Sequence, residues 1–321
     1  AGVLEASNLA WASIDPAVEA VSPVFPDLEG EHTVEEYIQF ALGQNPDIQA
    51  ARKRVEAFAH QVPVAASLQD PSLSMTFLPE QVQTAAGQQQ FALSANQKLP
   101  WRSKLAAQAQ VAELQTNVAR AELAAVELET IEQVKVAYYE LYFVQQALAV
   151  TEADKQLLGR IRDVADARYR SGQASNQDVL RADIDISYID MQLSRLRQQL
   201  DSSQARLARL LLVAPQTKVR GVGQLVPQGL PVDMEWLQLQ AVRARPELHA
   251  KLAELQRDQQ AVELARLNYV PDVTLGATWI DIANAGISPV TNGRDAFLLT
   301  AGFNLPVYRK RLDSSVRSAE A

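Results

Sequence analysis

The sequence predicts a mainly α-helical fold, built as a duplication and interrupted by two β-hairpins. Three observations carry this reading: an internal repeat about two hundred residues apart, four segments of alternating polarity arranged in two pairs, and a long proline-free run followed by a heptad-patterned return helix.

The repeat rests on three landmarks in order. Asn45-Pro46-Asp47-Ile48-Gln49-Ala50 returns as Arg245-Pro246-Glu247-Leu248-His249-Ala250. Asp70-Pro71-Ser72-Leu73-Ser74 returns at the same spacing of 200 positions as Val270-Pro271-Asp272-Val273-Thr274. Lys98-Leu99-Pro100-Trp101-Arg102 returns 206 positions on as Asn304-Leu305-Pro306-Val307-Tyr308. Self-similarity at a fixed period implies a duplicated structural unit.

Taken along the chain, residues 1–32 hold Pro16, Pro23 and Pro26 without a sustained period and read as an extended arm. Residues 33–213 form the first repeat. Thr33 and Glu36 make a capping box. Helices cover 33–69, with Pro63 expected to kink or break the second of them. In 72–78, Leu73, Met75 and Phe77 alternate with Ser72, Ser74 and Thr76; 91–98 alternates again, and a polar loop over about 80–88 joins the two strands. A long helical hairpin occupies 101–212. At 1.5 Å per residue its first arm of ~70 residues would span roughly 105 Å. The turn lies at 170–175, with Gly172 suited to a left-handed helix end and Ser175 to capping the return helix. That helix keeps one seam: Val179, Ala182, Ile186, Ile189, Leu193, Leu196, Leu200, Ser203, Leu207 and Leu210. Residues 214–233 read as a linker. Residues 234–321 are a second, incomplete repeat: helices over 234–268, strands over 272–280 and 296–304 around a loop at 281–294, and a helix starting at about 307.

Bulk properties narrow the function. A net charge of −8 argues against a nucleic-acid surface, which needs clustered Lys and Arg. With no cysteine, disulfides, thiolate metal sites and Cys nucleophiles are excluded. No apolar stretch approaches the ~20 residues of a spanning helix. Residues 1–30 contain Asp15, Glu19, Asp27 and Glu29 and no Lys or Arg, so no signal peptide is expected in this numbering. His32, His60 and His249 are far apart, the three methionines are scattered, and no phosphate loop or hydrolase motif is present. No catalytic residue, cofactor or metal ligand is therefore expected, and the chain does not read as an enzyme. Tyr138, Tyr139, Tyr142 and Phe143 cluster in mid-helix, most simply for packing.

Strands of this kind, apolar on one face and small-polar on the other, suit a soluble sheet or a membrane barrel. Four strands cannot close a barrel with a lumen, whereas three subunits would supply twelve, within the range of outer-membrane barrels.

The duplicated Pro46 and Pro246 helix starts, Asp70-Pro71-Ser72-Leu73-Ser74, Gln97-Lys98-Leu99-Pro100-Trp101, Tyr169-Arg170-Ser171-Gly172 and Asp178-Val179-Leu180-Arg181-Ala182 together resemble the TolC family of outer-membrane efflux channels, over about residues 33–321. The Lys98-Leu99-Pro100-Trp101 junction is most similar to the branch that includes heavy-metal efflux channels. The resemblance implies a homotrimer with four strands per protomer in a shared twelve-stranded barrel, and long helical hairpins forming a periplasmic tunnel. It further implies a passive conduit for small molecules or metal ions, placed in the outer membrane and periplasm of a Gram-negative-type bacterium and driven by an inner-membrane pump through a periplasmic adaptor. By position, Ser171, Gly172 and Gln173 match the tip that contacts the adaptor, although the family often carries apolar residues beside that glycine. Asp178 matches a tip acid that holds the gate closed, and it also suits a plain helix N-terminal charge. The sequence departs from the family in its second repeat, where the long hairpin expected after Pro306 is missing, so the chain reads as truncated there or, alternatively, as a divergent half-channel. The alternatives are a periplasmic adaptor, which would need Gly-rich lipoyl-like flanks, and a soluble coiled-coil scaffold, which would not explain the repeated strand pairs.

Overall fold

A computed structural model describes residues 28, 30–222, 225, 229, 233–284 and 286–321. Most of the predicted N-terminal arm and much of the 214–233 linker lie outside the described residues. The chain forms two compact units, one within Ala1–Asn45 and Leu128–Leu230, the other within Pro46–Glu127 and Pro231–Ala321. Its elements are β1 (Gly30–His32), α1 (Val34–Gln44), α2 (Pro46–Ala66), β2 (Ser72–Thr84), β3 (Gly87–Leu99), α3 (Arg102–Arg170), α4 (Asn176–Leu210), β4 (Val219–Gly221), α5 (Met234–Ala244), α6 (Pro246–Leu267), β5 (Val273–Ala283), β6 (Ala296–Phe303) and α7 (Arg309–Glu320). The predicted class, mainly helical with two hairpins and a long helical hairpin, is the observed one.

The repeat has a stereochemical basis. A residue before proline is pushed out of the helical region into extended backbone, while proline itself fits the first helical position. Asn45 (ψ 120°) and Arg245 (ψ 109°) are both extended, and each interrupts a helical run for one residue before Pro46 or Pro246 restarts it. The helices ahead of the break are 11 residues long in both repeats, and those after it are 21 and 22. Thr33 and Glu36 form the expected capping box, with Glu36 N–H donating to Thr33 Oγ1 at 3.3 Å and Thr33 N–H to Glu36 Oε2 at 2.9 Å. Asp233 caps α5 in the second repeat. Pro63 does not break α2. It lies three residues from the helix end, where the lost N–H removes one bond from the final turns, and the helix runs on to Ala66.

In the first unit, α1, the distal part of α3 and α4 enclose a core of Val34, Tyr37, Ala41, Val134, Tyr138, Leu141, Leu207 and Leu211. Here the structure corrects the sequence reading, because the presumed arm and linker contribute β1 and β4, which pair in parallel with Glu31 opposite Arg220. Two three-residue strands cannot stand alone in water. Side chains from the helices complete them. Tyr37 Oη donates to Arg220 C=O at 3.0 Å and accepts from Arg220 N–H at 3.3 Å. Tyr138 Oη donates to His32 C=O and accepts from Val222 N–H. Gln145 accepts from Gly221 N–H, and Gln204 donates to Val219 C=O. Tyr37 and Tyr138 are fully buried, whereas Tyr139 and Phe143 are exposed, so only part of the predicted aromatic cluster packs inward.

α4 returns along α3 with all ten predicted seam positions buried or partly buried, and Leu193, Leu196 and Leu207 at its centre. The α4 end uses the same backbone motif as the α3 end but with Leu212 at φ 57°, where a Cβ is normally disfavoured.

Burial pushes the Tyr37 phenol from 10.0 up to about 12. A phenol that ionises later in the folded chain loses stabilising power as pH rises, so this unit should weaken between about pH 10 and pH 12. Tyr37→Phe should cost about 1–2 kcal/mol, since the Arg220 backbone then loses two hydrogen bonds at once, while Tyr139→Phe should be neutral. Chemical denaturation of the three proteins checks both statements.

Candidate functional site: a two-faced sheet, its junction and a helical tip

In the second unit, β2, β3, β5 and β6 form one antiparallel sheet in the order β2-β3-β5-β6, which leaves β2 and β6 as its edges. Because side chains alternate in a strand, the register sorts them into two faces. Leu73, Ala95 and Ala277 share one row, Met75, Leu93 and Trp279 the next, and Phe77 and Phe91 a third. Leu299 and Phe297 carry this apolar face onto β6. Leu73, Met75, Phe77, Phe297, Leu299 and Phe303 are all more than 60% exposed, a larger apolar surface than a soluble sheet leaves bare. The opposite face is mostly small and polar: Ser72, Asn96, Gly276 and Thr300 form one row, and Ser74, Ser94 and Thr278 the next, which ends on Leu298 of β6. Ser94 and Thr278 share a hydrogen bond of 3.0 Å. Gly276 leaves room for its neighbours: a Cβ there would sit 2.4 Å from both Asn96 Oδ1 and Thr300 Oγ1 and would push those two side chains aside.

The predicted loop at 80–88 is a correction. β2 continues to Thr84 and β3 starts at Gly87, so the hairpin turns on two residues. Pro79 breaks the ladder between Phe77 and Val82, which an edge strand tolerates, and this polar, irregular stretch has no alternation to read. Gly87 (φ 137°) lies so close to Ala283 that a Cβ would overlap its carbonyl oxygen. The loop after β5 folds onto the hairpin tip, with Ser288 N–H on Ala85 C=O and Gly293 N–H on Ala86 C=O.

Where β3 passes into α3, the first repeat grips the second. Lys104, on the first turn of α3, donates from Nζ to Asp272 Oδ1 at 2.6 Å; both groups are buried. Lys98 Nζ lies 3.1 Å from the other oxygen, and Trp101 Nε1 donates to Pro271 C=O. Asn304 accepts from Asp272 N–H and returns its own N–H to Asp272 C=O. Burial alone would raise the Asp272 carboxyl, but the hydrogen bonds from Lys104 and Lys98 outweigh it and hold the group below its ordinary value. Sequence reading marked Lys98, Trp101, Pro271, Asp272 and Asn304 as repeat landmarks, did not single out Lys104, and missed the contact.

The tip belongs to the first unit. α3 ends at Arg170 with Gln173 N–H bonded to Arg168 C=O and Gly172 N–H to Tyr169 C=O, the Schellman pattern. Gly172 takes φ 70° with open space around it, so the glycine serves backbone conformation rather than close packing. Ser171, Gly172 and Gln173 are exposed. Ser175 Oγ accepts from Gln177 N–H at 3.2 Å, and Asp178 is the acidic residue of the first turn. The Asp178 side chain is exposed and makes no ion pair among the described residues. Cross-hairpin pairs hold the arms nearby, Arg162 to Asp183 at 3.2 Å and Lys155 to Asp190 at 2.5 Å. The hairpin also presents a second apolar stripe that the sequence reading did not single out: Leu180, Ile184, Tyr188 and Met191, each more than half exposed. Their 4,4,3 spacing was the available signal.

Among the described residues there is no group of three His, Asp or Glu able to hold a metal ion, and no helix long and apolar enough to cross a membrane.

A sheet with one apolar and one polar face, flanked by duplicated helices and a long helical hairpin, defines the class of outer-membrane channels with helical extensions. The outer membrane efflux protein family model matches residues 37–211, more than half of the chain, and the chain belongs to that family. It is 24% identical to the cobalt-zinc-cadmium resistance protein CzcC of Cupriavidus metallidurans over 319 residues, covering 98% of this chain and 73% of that protein. It is 26% identical to Protein CyaE of Bordetella pertussis, covering 91% of this chain and 64% of that protein. Among solved structures, the outer-membrane channel OprN superposes with a TM-score of 0.67 at 17% identity, covering 89% of this chain and 68% of that one. VceC of Vibrio cholerae superposes at 0.65 and 21%, covering 89% and 72%. The chain is thus the outer-membrane channel component of a tripartite efflux system, in a family of trimeric transport proteins rather than enzymes, whose members work with periplasmic adaptors and inner-membrane pumps.

Replacing Lys104 by Met leaves Asp272 buried with only the half-exposed Lys98, and should cost about 2–4 kcal/mol. Asp272→Asn combined with Lys104→Met should recover part of that loss, a coupling that a double-mutant cycle on thermal unfolding measures.

Proposed function

We propose that three copies of this chain close a twelve-stranded barrel in the outer membrane, and that the barrel passes small molecules or metal ions without chemistry of its own. The observation that carries this reading is the continuous apolar face across four strands whose outer edges, β2 and β6, have no partner within the sheet. In hydrocarbon, unpaired backbone groups cost several kcal/mol each, so such edges must be joined to further strands. The polar face then lines the lumen and the apolar face meets lipid. An inner-membrane pump supplies the energy through a periplasmic adaptor, which docks at Ser171, Gly172 and Gln173. The resistance function in the name of CzcC favours metal cations among the cargoes. The second apolar stripe, Leu180 to Met191, suits packing of neighbouring hairpins in a tunnel wall.

The lipid-facing assignment is tested by Leu299→Asp, expected to remove most of the protein from the outer-membrane fraction, while Thr300→Asp on the opposite face leaves it there. Equal behaviour of the two variants would sink the barrel reading.

The gate is tested separately. Asp178→Asn should raise uptake of a large antibiotic that normally cannot cross the outer membrane, with the channel's abundance unchanged. If uptake stays at the wild-type level and only helix stability falls, Asp178 acts as a helix N-terminal charge alone.

A further inference from the structure

The internal repeat also specifies how one copy meets the next. This inference rests on the trimeric barrel reading above, and adds to it a strand register and a pair of residues. Within the chain, β3 of the first repeat pairs with β5 of the second, and Leu99 faces Val273, Gln97 faces Leu275 and Ala95 faces Ala277. The sequence equivalents of β3 and β5 are β6 and β2, the two strands left at the edges. A contact already formed once by one repeat on the other can therefore form again between copies.

We propose that β6 pairs with β2 of a second copy in the register that the β3–β5 contact dictates, placing Ala301 opposite Phe77 and Phe303 opposite Met75 of that copy, with Leu305, two residues past the end of β6, beside Leu73. Each of these pairs keeps apolar side chains on the exposed apolar face: Leu73, Met75, Phe77, Phe303 and Leu305 are all more than 60% exposed in the single chain. The proline landmarks fix the choice. Pro100 ends β3 beside Pro271 and Asp272, and Pro306 follows β6 as Pro71 precedes β2. Polarity alone would also allow a register shifted by two residues, with Phe303 opposite Phe77, and the two hairpins do differ from one another by such a step: Ser72 faces Asn96, but Val273 faces Phe303.

The same equivalence locates a salt bridge between copies. Lys310 occupies the place of Lys104, and Ser72 that of Asp272, so the buried pair of the inner junction has no direct counterpart. Lys104 Nζ, however, also lies 3.4 Å from the carbonyl oxygen of Val270, and the residue equivalent to Val270 is Asp70. Asp70 and Lys310 are both exposed and make no ion pair among the described residues. The geometry places Lys310 of one copy beside Asp70 of the next, an acid moved two positions along the chain.

The chain contains no cysteine, so paired substitutions report cleanly. In the full chain in isolated membranes, Phe77→Cys with Ala301→Cys should form cross-linked dimers and trimers on oxidation. Phe77→Cys with Phe303→Cys should do so roughly tenfold less, because diagonal partners in a sheet sit beyond disulfide reach. Preference for the second pair would overturn the register and leave the barrel standing, as would trimers that neither pair cross-links. Monomers in the membrane with no cross-link from either pair would overturn the barrel reading as well. Lys310→Asp should lower the temperature at which trimers dissociate in detergent, and adding Asp70→Lys should restore it; failure of the swap to restore it would remove the salt bridge from the proposal.

Discussion

Backbone amides and carbonyls that face hydrocarbon must be paired within protein, and this constraint governs how the second unit can function. A four-stranded sheet satisfies its inner ladders and leaves two edges bare. In water those edges would invite uncontrolled pairing, and the apolar face would promote aggregation. Both liabilities vanish when the sheet is closed into a cylinder surrounded by lipid. The polar rows Ser72-Asn96-Gly276-Thr300 and Ser74-Ser94-Thr278 then become a wetted lining, small enough to leave space for a solute.

The first unit solves a different problem. Its parallel pair of three-residue strands carries too few ladder bonds to hold itself, and the helices supply what is lacking through Tyr37, Tyr138, Gln145 and Gln204. The tyrosines can be fully buried because each hydroxyl both donates and accepts, leaving no polar atom unpaired. Burying them in turn anchors the segment that leads into α1 and the segment that leaves α4.

How much of this was legible in the sequence depended on the range of the responsible interaction. The α4 seam was readable residue by residue, because a heptad is a local regularity that packing rarely overrides. The helix breaks at Pro46 and Pro246 were readable for the same reason, since proline acts on its immediate neighbour. The strands were recognised only where apolar and polar residues alternate; beyond Phe77 the run Leu78-Pro79-Glu80-Gln81-Val82 breaks the alternation, and that part of β2 read as a loop. β1 and β4 were missed because three residues hold no period and their partners lie on distant helices. Of the candidate site, the tip turn was visible through Gly172 and Ser175. The Lys104–Asp272 pair joins residues 168 positions apart and left one trace only, an acid in the second repeat where the first has Ser72.

That acid bears on a weakness peculiar to alternating sheets. A slip by one residue would turn every apolar side chain to the wrong face, so polarity forbids it strongly. A slip by two leaves both faces intact, and polarity does nothing to prevent it. Register against even slips must come from contacts that recognise individual positions. The β3–β5 ladder has three of them: Gly276 fitted between Asn96 and Thr300, Gly87 pressed against the Ala283 carbonyl, and Asp272 held by Lys104 and Lys98. A buried ion pair adds little net stability once its desolvation is counted, yet separating its members is expensive. It is therefore better suited to selecting one register than to strengthening it, and the junction where strand becomes helix is where a register error would propagate furthest along α3.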